Sequence, residues 1–490
     1  MDYKNHANKY KKWQKQYNWD TCKANRKEFG LFIADFLTSD SSVINLNGIY
    51  GSGKTEFIRR LYIELAEKNH PVVYIDVWES NFSNNPLAVI CSELLQQIES
   101  IFITRVPNGK LKDYTKAKEI LNTLKSKLGL CLKYIEAGTV MTGEPAGITA
   151  SKSITAAVNS SPDLNTQTSF QKLIEAVQKN HLDAVQASKD IKENITFLSV
   201  LIETIYKLNI PIVVLIDELD RCRPSYAIEV LESIKHFFDT KGCTFLVATN
   251  TVALEHSVNT VYGQTFEAKI YLRKFFDRKV TLPQVSLLKY LEAGELDFDK
   301  YEGSKLILYP FHEVKKSNIA IFAALFEENN IELRDVEQIL NRFFAGLDYA
   351  LSRTNNSEIV LNTVVLLIGL LEQHLDKVVI GDRTNMNYNF GKLSTNIPSH
   401  HREMIDCMFR CVTTIMSKDK HSGGVRASNG TPQKMIKIFS RDFSKIKLPV
   451  EVGTVHVFVN KLQSCLVKKD CNYWMWEDHQ KIIELSGHIE

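Results

Sequence analysis

The sequence predicts an α/β fold in which a three-layer core around a mostly parallel sheet precedes a mainly helical C-terminal region. Two motifs predict the core. Residues 48–55 fit the phosphate-binding pattern G-x-x-x-x-G-K-[ST] and lie between a predicted strand and a predicted helix. Residues 212–216 form an apolar run that ends in the acidic pair Asp217-Glu218. A buried strand that presents a carboxylate at its C-terminal end is typical of the ligand edge of an open parallel sheet.

Residues 1–27 form a basic, aromatic N-terminal segment. They carry eight Lys or Arg against two Asp, with five Tyr or Trp among them. One interpretation is an arm that binds nucleic acid or a partner, since cations neutralise phosphates and aromatic rings stack on bases. The pattern favours instead an amphipathic helix whose aromatic side packs on the domain while its lysines face water. A helix over residues 26–37 then leads into the first strand.

The phosphate-binding loop supplies most of the predicted ligand contacts. Its glycines let backbone N–H groups approach a phosphate closely, and the N-terminus of the following helix adds a partial positive charge. Lys54 is predicted to reach the β- and γ-phosphates, and the Thr55 hydroxyl to ligate Mg²⁺. The residues predicted to bind the nucleotide here are Gly48, Gly51, Ser52, Gly53, Lys54, Thr55 and Glu56.

The acidic pair completes the predicted chemistry. Asp217 is expected to hold Mg²⁺ through its water shell. Glu218 is expected to orient or deprotonate the attacking water. Further buried strands are predicted over residues 71–78 and 242–250, which would lie in the same sheet.

Two polar residues further along the chain have two interpretations each. Asn250, at the end of a predicted strand, is either a sensor of the γ-phosphate or an ordinary cap. Arg273 either supplies a positive charge to the phosphate of a neighbouring subunit or pairs at the surface with Glu267 or Asp277.

Helical patterns surround the two motifs. Residues 100–208 predict a helical insertion into the core. Within it, residues 137–163 are rich in Gly, Ala, Ser and Thr and indicate a linker or a mobile loop. A further helix is predicted over residues 225–238, because Pro224 is suited to a first helical turn.

The remainder of the chain predicts more helices. Residues 285–345 are interpreted as a helical lid, in which Arg334 is a candidate to point towards the nucleotide. Residues 346–490 are interpreted as a mainly helical domain of unknown role, with a basic stretch at 415–447.

Composition narrows the class of protein. The net charge of +3 is too small to indicate nucleic-acid binding by itself, and nine scattered cysteines without a C-x-x-C pair indicate reduced thiols. The longest apolar run, residues 359–371, is too short to span a bilayer, and the chain does not begin with a signal peptide. A cytoplasmic protein without a membrane anchor is therefore expected.

The residues that follow the acidic pair carry a family resemblance. Residues 216–224 read I-D-E-L-D-R-C-R-P, which resembles the I-D-D-L-D-R-C-x-P signature of the KAP family of P-loop NTPases. Residues 74–78, 85–87 and 271–274 also agree with that family's pattern, so that the resemblance covers about 19–284. It implies a three-layer P-loop NTPase core over residues 28–284 that binds ATP and Mg²⁺.

Two departures from the family pattern are visible. Glu218 stands where the family often has Asp, and Glu is the commoner catalytic carboxylate in related hydrolases. Many members insert transmembrane helices between the two motifs, whereas this interval contains only the small-residue stretch at 137–163, so membrane attachment is not implied. Bacterial members are associated with mobile elements and with phage exclusion, so the resemblance implies a role in defence.

The sequence leaves several functions open. The first hypothesis is an ATP hydrolase whose turnover controls conformation or assembly, either as a homo-oligomer or with a partner protein from the same system. A second is a nucleotide-dependent scaffold or signalling module with slow hydrolysis. A nucleic-acid-stimulated ATPase and a small-molecule kinase are further alternatives. The presence of both Lys54 and Glu218 favours the first.

Overall fold

The computed structural model divides the chain into two compact units. One comprises Met1–Cys22 and Arg26–Pro283, and the other comprises Lys23–Asn25 and Gln284–Glu490. The described residues are 11–39, 41–83, 85–104, 207–235, 242–294, 296–309, 314–354, 357–375 and 471–488, with short stretches between 119 and 206 and residues 405 and 408. Residues 1–10, most of the predicted insertion with its stretch at 137–163, the end of the predicted helix at 236–238 and the basic stretch at 415–447 lie outside them.

The first unit is built around a five-stranded sheet. Its strands are β1 (Val43–Asn47), β2 (Val72–Asp76), β3 (Ile212–Asp217), β4 (Cys243–Thr249) and β5 (Arg278–Thr281). Its helices are α1 (Lys27–Ser39), α2 (Lys54–Glu67), α3 (Pro86–Thr104), α4 (Pro224–Ser233), α5 (Thr251–Tyr262) and α6 (Ala268–Leu272). The strands lie in the order β2-β3-β4-β1-β5, and every pair is parallel.

Alternate side chains of the central strands enter two different hydrophobic clusters. In β3, Val214 and Ile216 pack with residues of α3 and α4, whereas Val213 and Leu215 pack with residues of α1 and α2. Because helices cover both faces, the central strands are apolar nearly throughout instead of alternating. The sheet with its two helical layers confirms the predicted three-layer core.

The N-terminal segment packs on the first unit through an aromatic side chain. Trp13 is buried and makes edge-to-face contacts with Tyr62 and Tyr74, whose ring centroids lie 5.5 and 5.0 Å from its own. The lysines of this helical stretch are exposed, namely Lys11, Lys12 and Lys15. These are the contacts expected of the amphipathic helix that the pattern favoured. Nucleic-acid binding by the segment stays a prediction.

The edge strand β5 was not predicted from the sequence. It pairs with β1 from Ile44↔Arg278 to Asn47↔Thr281, and three of its four residues are exposed. A short strand with polar, exposed side chains has no periodicity that distinguishes it from a loop. The helix predicted over residues 225–238 begins at Pro224.

The second unit contains a parallel sheet that the sequence analysis did not predict. Its strands are β6 (Leu306–Tyr309), β7 (Glu358–Asn362) and β8 (Cys471–Tyr473), paired in that order. Its helices are α7 (Leu287–Ala293), α8 (Val314–Glu328), α9 (Leu333–Ser352), α10 (Thr363–His374) and α11 (Trp476–Ser486). Helices thus form most of its described part, as expected.

One hydrophobic cluster joins the residues predicted as a lid with those further along the chain. Phe343 of α9, Leu366 of α10 and Ile483 of α11 all belong to it. Strand β7 was missed because the apolar run at 359–371 is β7 followed directly by α10, and a short apolar run has no clear helical or strand period. Within the described ranges, the structure contains no helix of the length and apolar character needed to span a membrane.

Candidate functional site

The phosphate-binding loop connects the end of β1 to the start of α2. The Gly48 amide donates to the carbonyl of Thr249 at 3.0 Å, which joins the loop to the end of β4. Gly51 and Gly53 have φ of 75° and 82°, a region that side chains rarely adopt. A Cβ at Gly48 would lie 2.8 Å from Ser52 Oγ. The backbone conformation therefore favours glycine at Gly51 and Gly53, whereas a side chain at Gly48 would have to displace Ser52 Oγ.

Backbone amides at the start of α2 form an anion-binding surface. Within the described part of the chain, the amides of Gly51, Gly53, Lys54, Thr55 and Glu56 donate to no protein acceptor. The first N–H groups of a helix have no partner inside the helix, and its dipole favours negative charge at this end. The loop therefore has the donors that a polyphosphate requires.

Lys54 lies beneath this loop with its side chain buried. Its Nζ donates to the carbonyls of Gly48 at 2.8 Å and Ile49 at 3.2 Å, and lies 3.6 Å from Asp220 Oδ2. The ammonium group also lies 5.4 Å from the ring centroid of Tyr50. The loop therefore holds this cation next to the backbone that would contact a phosphate.

Arg26 stabilises the phosphate-binding loop through its side chain, and this role was not predicted from the sequence. Its guanidinium is buried and donates to the carbonyls of Ser52 at 2.8 Å and Pro283 at 2.7 Å. Removal from water lowers the pKa of Arg26 to about 10. In the sequence, this arginine is one of several cations before α1, so no local signal distinguishes it.

Thr55 and Asp217 come together at the end of β3. Asp217 is almost fully buried, and its Oδ2 accepts a hydrogen bond from Tyr74 OH at 3.1 Å. Burial raises the pKa of Asp217 above its ordinary value, while hydrogen bonds from Thr55 and Tyr74 act in the opposite direction. The register pairs Asp76 with Asp217, which places a second carboxylate at this edge of the sheet. Tyr74 and Asp76 were not among the predicted site residues.

Glu218 lies directly after Asp217 in a left-handed backbone conformation with φ of 61°. Its Oε1 accepts from the Thr55 hydroxyl at 3.1 Å, and its Oε2 lies 2.5 Å from Arg221 Nε. Burial raises the pKa of Glu218, and the negative charge of Asp217 adds to the increase. A non-glycine residue in this conformation is a strained feature that is common at functional sites.

These oxygen atoms suit a magnesium ion that is shared with a nucleotide. Mg²⁺ prefers hard oxygen ligands and is usually held by one or two protein groups together with water and phosphate oxygens. The Thr55 hydroxyl and the Asp217 carboxylate are such groups. Among the described residues, no cluster of three or more His, Cys, Asp or Glu could hold a metal unaided. The site thus fits Mg²⁺ bound together with a phosphate and not a protein-only metal site.

A family model described as the KAP family P-loop domain matches residues 27–345, which is more than half of the chain. The chain belongs to the KAP family of P-loop NTPases. It is therefore a nucleotide-binding NTPase by family, and the matched range includes the loop and the acidic pair described above. No curated protein matches the chain.

The remaining predicted residues occupy different parts of the KAP domain. Asn250 caps α5, since its Oδ1 accepts from the Ala253 amide at 3.4 Å, and its own amide donates to Asp220 Oδ2 at 2.9 Å. Its alternative role as a phosphate sensor stays a prediction. The Glu56 side chain bonds Arg60 at 2.6 Å, so only its amide faces the loop.

The two predicted arginines are exposed. Arg273 follows α6, and among the described residues neither Glu267 nor Asp277 lies within ion-pair distance of it. Asp277 is instead 3.8 Å from Lys235. Arg334 lies in the first turn of α9, in the second unit. Roles for both arginines towards a nucleotide stay predictions.

Proposed function

We propose that this KAP NTPase binds ATP with Mg²⁺ and hydrolyses it. The observation that carries the proposal is the position of the Thr55 hydroxyl, which bonds Glu218 and also acts on Asp217, next to the amides at the start of α2. When bound, Mg²⁺ would neutralise phosphate charge. Asp217 and Thr55 would hold the ion, Lys54 would contact the phosphates, and Glu218 would accept the proton of the attacking water.

The proposal is tested by Glu218→Gln. Loss of the base should lower kcat for ATP by about 100- to 10,000-fold. Binding of ATP should persist, because the amides and Lys54 are retained. The matched control is Glu203→Gln, since Glu203 is exposed in the same unit. An ATPase rate for Glu218→Gln equal to that of the control would contradict the assignment, and the same measurements with GTP establish the base preference.

A nucleotide-dependent scaffold with slow turnover is the second candidate. It is supported by the two donors on Glu218, from Thr55 and Arg221, because these contacts favour the charged carboxylate and partly offset the rise in its pKa that burial causes. Arg221→Ala distinguishes the two candidates. A higher ATPase rate in this variant than in the wild type supports a restrained site, and a lower rate supports an arginine that orients Glu218 for hydrolysis.

We further propose that nucleotide state controls conformation or assembly in a cytoplasmic bacterial system that acts against phage. The support is the family's association with phage exclusion, and the partner is either a second copy of the chain or a protein from the same system. The test is the plating efficiency of phage on bacteria that express the wild type or Lys54→Ala. Equal plating on both strains would contradict the defence role, and particle mass with and without ATP tests assembly.

A further inference from the structure

Asp220 joins three parts of the nucleotide site. Its Oδ2 lies 3.6 Å from Lys54 Nζ and accepts from the Asn250 amide at 2.9 Å. Its backbone carbonyl accepts a hydrogen bond from Tyr50 OH at 3.1 Å. One residue therefore contacts two residues of the phosphate-binding loop and the residue that caps α5.

The environment of this carboxylate is unfavourable without Lys54. The Asp220 side chain is 1% exposed, and in the described part of the chain its Oδ1 has no hydrogen-bond partner. A buried charge is costly unless it is paired, and removing the partner of a buried pair is strongly destabilising. In the described part of the chain, Lys54 places its ammonium within ion-pair distance of this carboxylate, so the two charges compensate each other inside the protein.

A bound phosphate would compete for the same cation. Two N–H groups of Lys54 are directed to the carbonyls of Gly48 and Ile49, which leaves the third for Asp220 or for a phosphate oxygen. While the two carbonyl contacts persist, the third N–H group of Lys54 therefore cannot donate to the Asp220 carboxylate and to a phosphate oxygen at the same time. If Lys54 turns to a phosphate, the partner that Asp220 Oδ2 keeps among the described residues is the Asn250 amide, at the beginning of α5.

We propose that Asp220 is a positioning residue that restrains the Lys54 ammonium and thereby opposes nucleotide binding. The inference rests on the proposed nucleotide site but not on hydrolysis, and it can be tested with ADP. It gives Asp220 a different role from the acidic pair at the end of β3, in which Asp217 would hold the metal and Glu218 would act on water. Asp220 sets the affinity of the loop for phosphate.

The test is calorimetric titration of the full chain with ADP and Mg²⁺. Asp220→Asn removes the charge and retains an acceptor for the Asn250 amide, and it should lower the Kd for ADP by about tenfold. Asp35→Asn is the matched control, because Asp35 is exposed and also pairs with a lysine, Lys68, at 2.5 Å. The control should leave the Kd unchanged.

A role limited to stability would give a different result. In that case, Asp220→Asn would lower the melting temperature and leave the Kd for ADP unchanged or raised, and the proposal would be overturned.

If Asp220→Asn does not fold, Tyr50→Phe is the variant that tests the proposal. It removes only the hydroxyl that holds the Asp220 carbonyl, and it should lower the Kd by about two- to fivefold. An unchanged or raised Kd there overturns the proposal. Absence of ADP binding by the wild type would instead reject the proposed function itself.

Discussion

Replacement of Trp13 by Ala tests whether the N-terminal segment is part of the folded core. The Trp13 side chain is 7% exposed and contacts the rings of Tyr62 and Tyr74. The Arg59 guanidinium lies 5.2 Å from its ring centroid. Truncation of a buried aromatic side chain to Ala costs about 3–5 kcal/mol, because the removed atoms leave a cavity. Trp78 is the matched control, since it is 49% exposed and its replacement should cost about 1 kcal/mol or less.

Thermal unfolding followed by circular dichroism measures both variants. A loss of 3–5 kcal/mol corresponds to a melting temperature lower by roughly 6–20 °C for a unit of this size. The transition of the first unit is identified as the one that ADP raises, because a ligand stabilises the unit that binds it. Trp13→Ala should lower that transition and Trp78→Ala should shift it by a few degrees at most.

The alternative interpretation of the segment predicts a different pair of results. If Trp13 stacked on bases in a nucleic-acid-binding arm, its replacement would leave the melting temperature unchanged and weaken binding of single-stranded DNA or RNA. That outcome would refute the packing interpretation. Trp13 also contacts Tyr74, whose hydroxyl donates to Asp217, so a loss of packing should weaken Mg²⁺-dependent nucleotide binding as well.

Three further perturbations test other parts of the structure. Arg26→Ala removes two hydrogen bonds from a buried cation, each worth about 1.5–3 kcal/mol. It should raise the Kd for ADP, and an unchanged Kd would contradict its role in supporting the loop. Gly30→Ala places a Cβ 2.0 Å from the Trp19 ring, which must shift, so the melting temperature of the first unit should fall, and an unchanged melting temperature would contradict this packing. Burial lowers the pKa of His479 in the folded state, so the unfolded state binds the proton more readily. The second unit should therefore lose stability as the pH falls below about 6.5, by at most about 1.4 kcal/mol per pH unit for one proton. A denaturant midpoint that is equal at pH 7 and pH 5 would contradict this expectation.

The local motifs were sufficient to predict the phosphate-binding loop and the acidic strand. In both motifs the functional residues are neighbours in the chain. A loop that binds a phosphate needs glycines and the start of a helix within a few positions, and the acidic pair directly follows an apolar run. The central strands were equally readable, since a strand covered on both faces is apolar throughout. These features are encoded in residues that are adjacent in the chain, so the sequence by itself determined the core and the position of Lys54, Thr55, Asp217 and Glu218.

Contacts between distant residues were decided only by the tertiary structure. Arg26 and the carbonyl of Pro283 are 257 positions apart, and nothing near Arg26 distinguishes it from the neighbouring cations. The same holds for the pairing of β7 with β8, because strands of three to five residues have too little periodicity to be identified. Asp220 is visible in the sequence as part of the family signature, but its partner is not. Its burial beside Lys54 depends on how β3 and the phosphate-binding loop meet at the same edge of the sheet, and local sequence patterns contain no information about that distance.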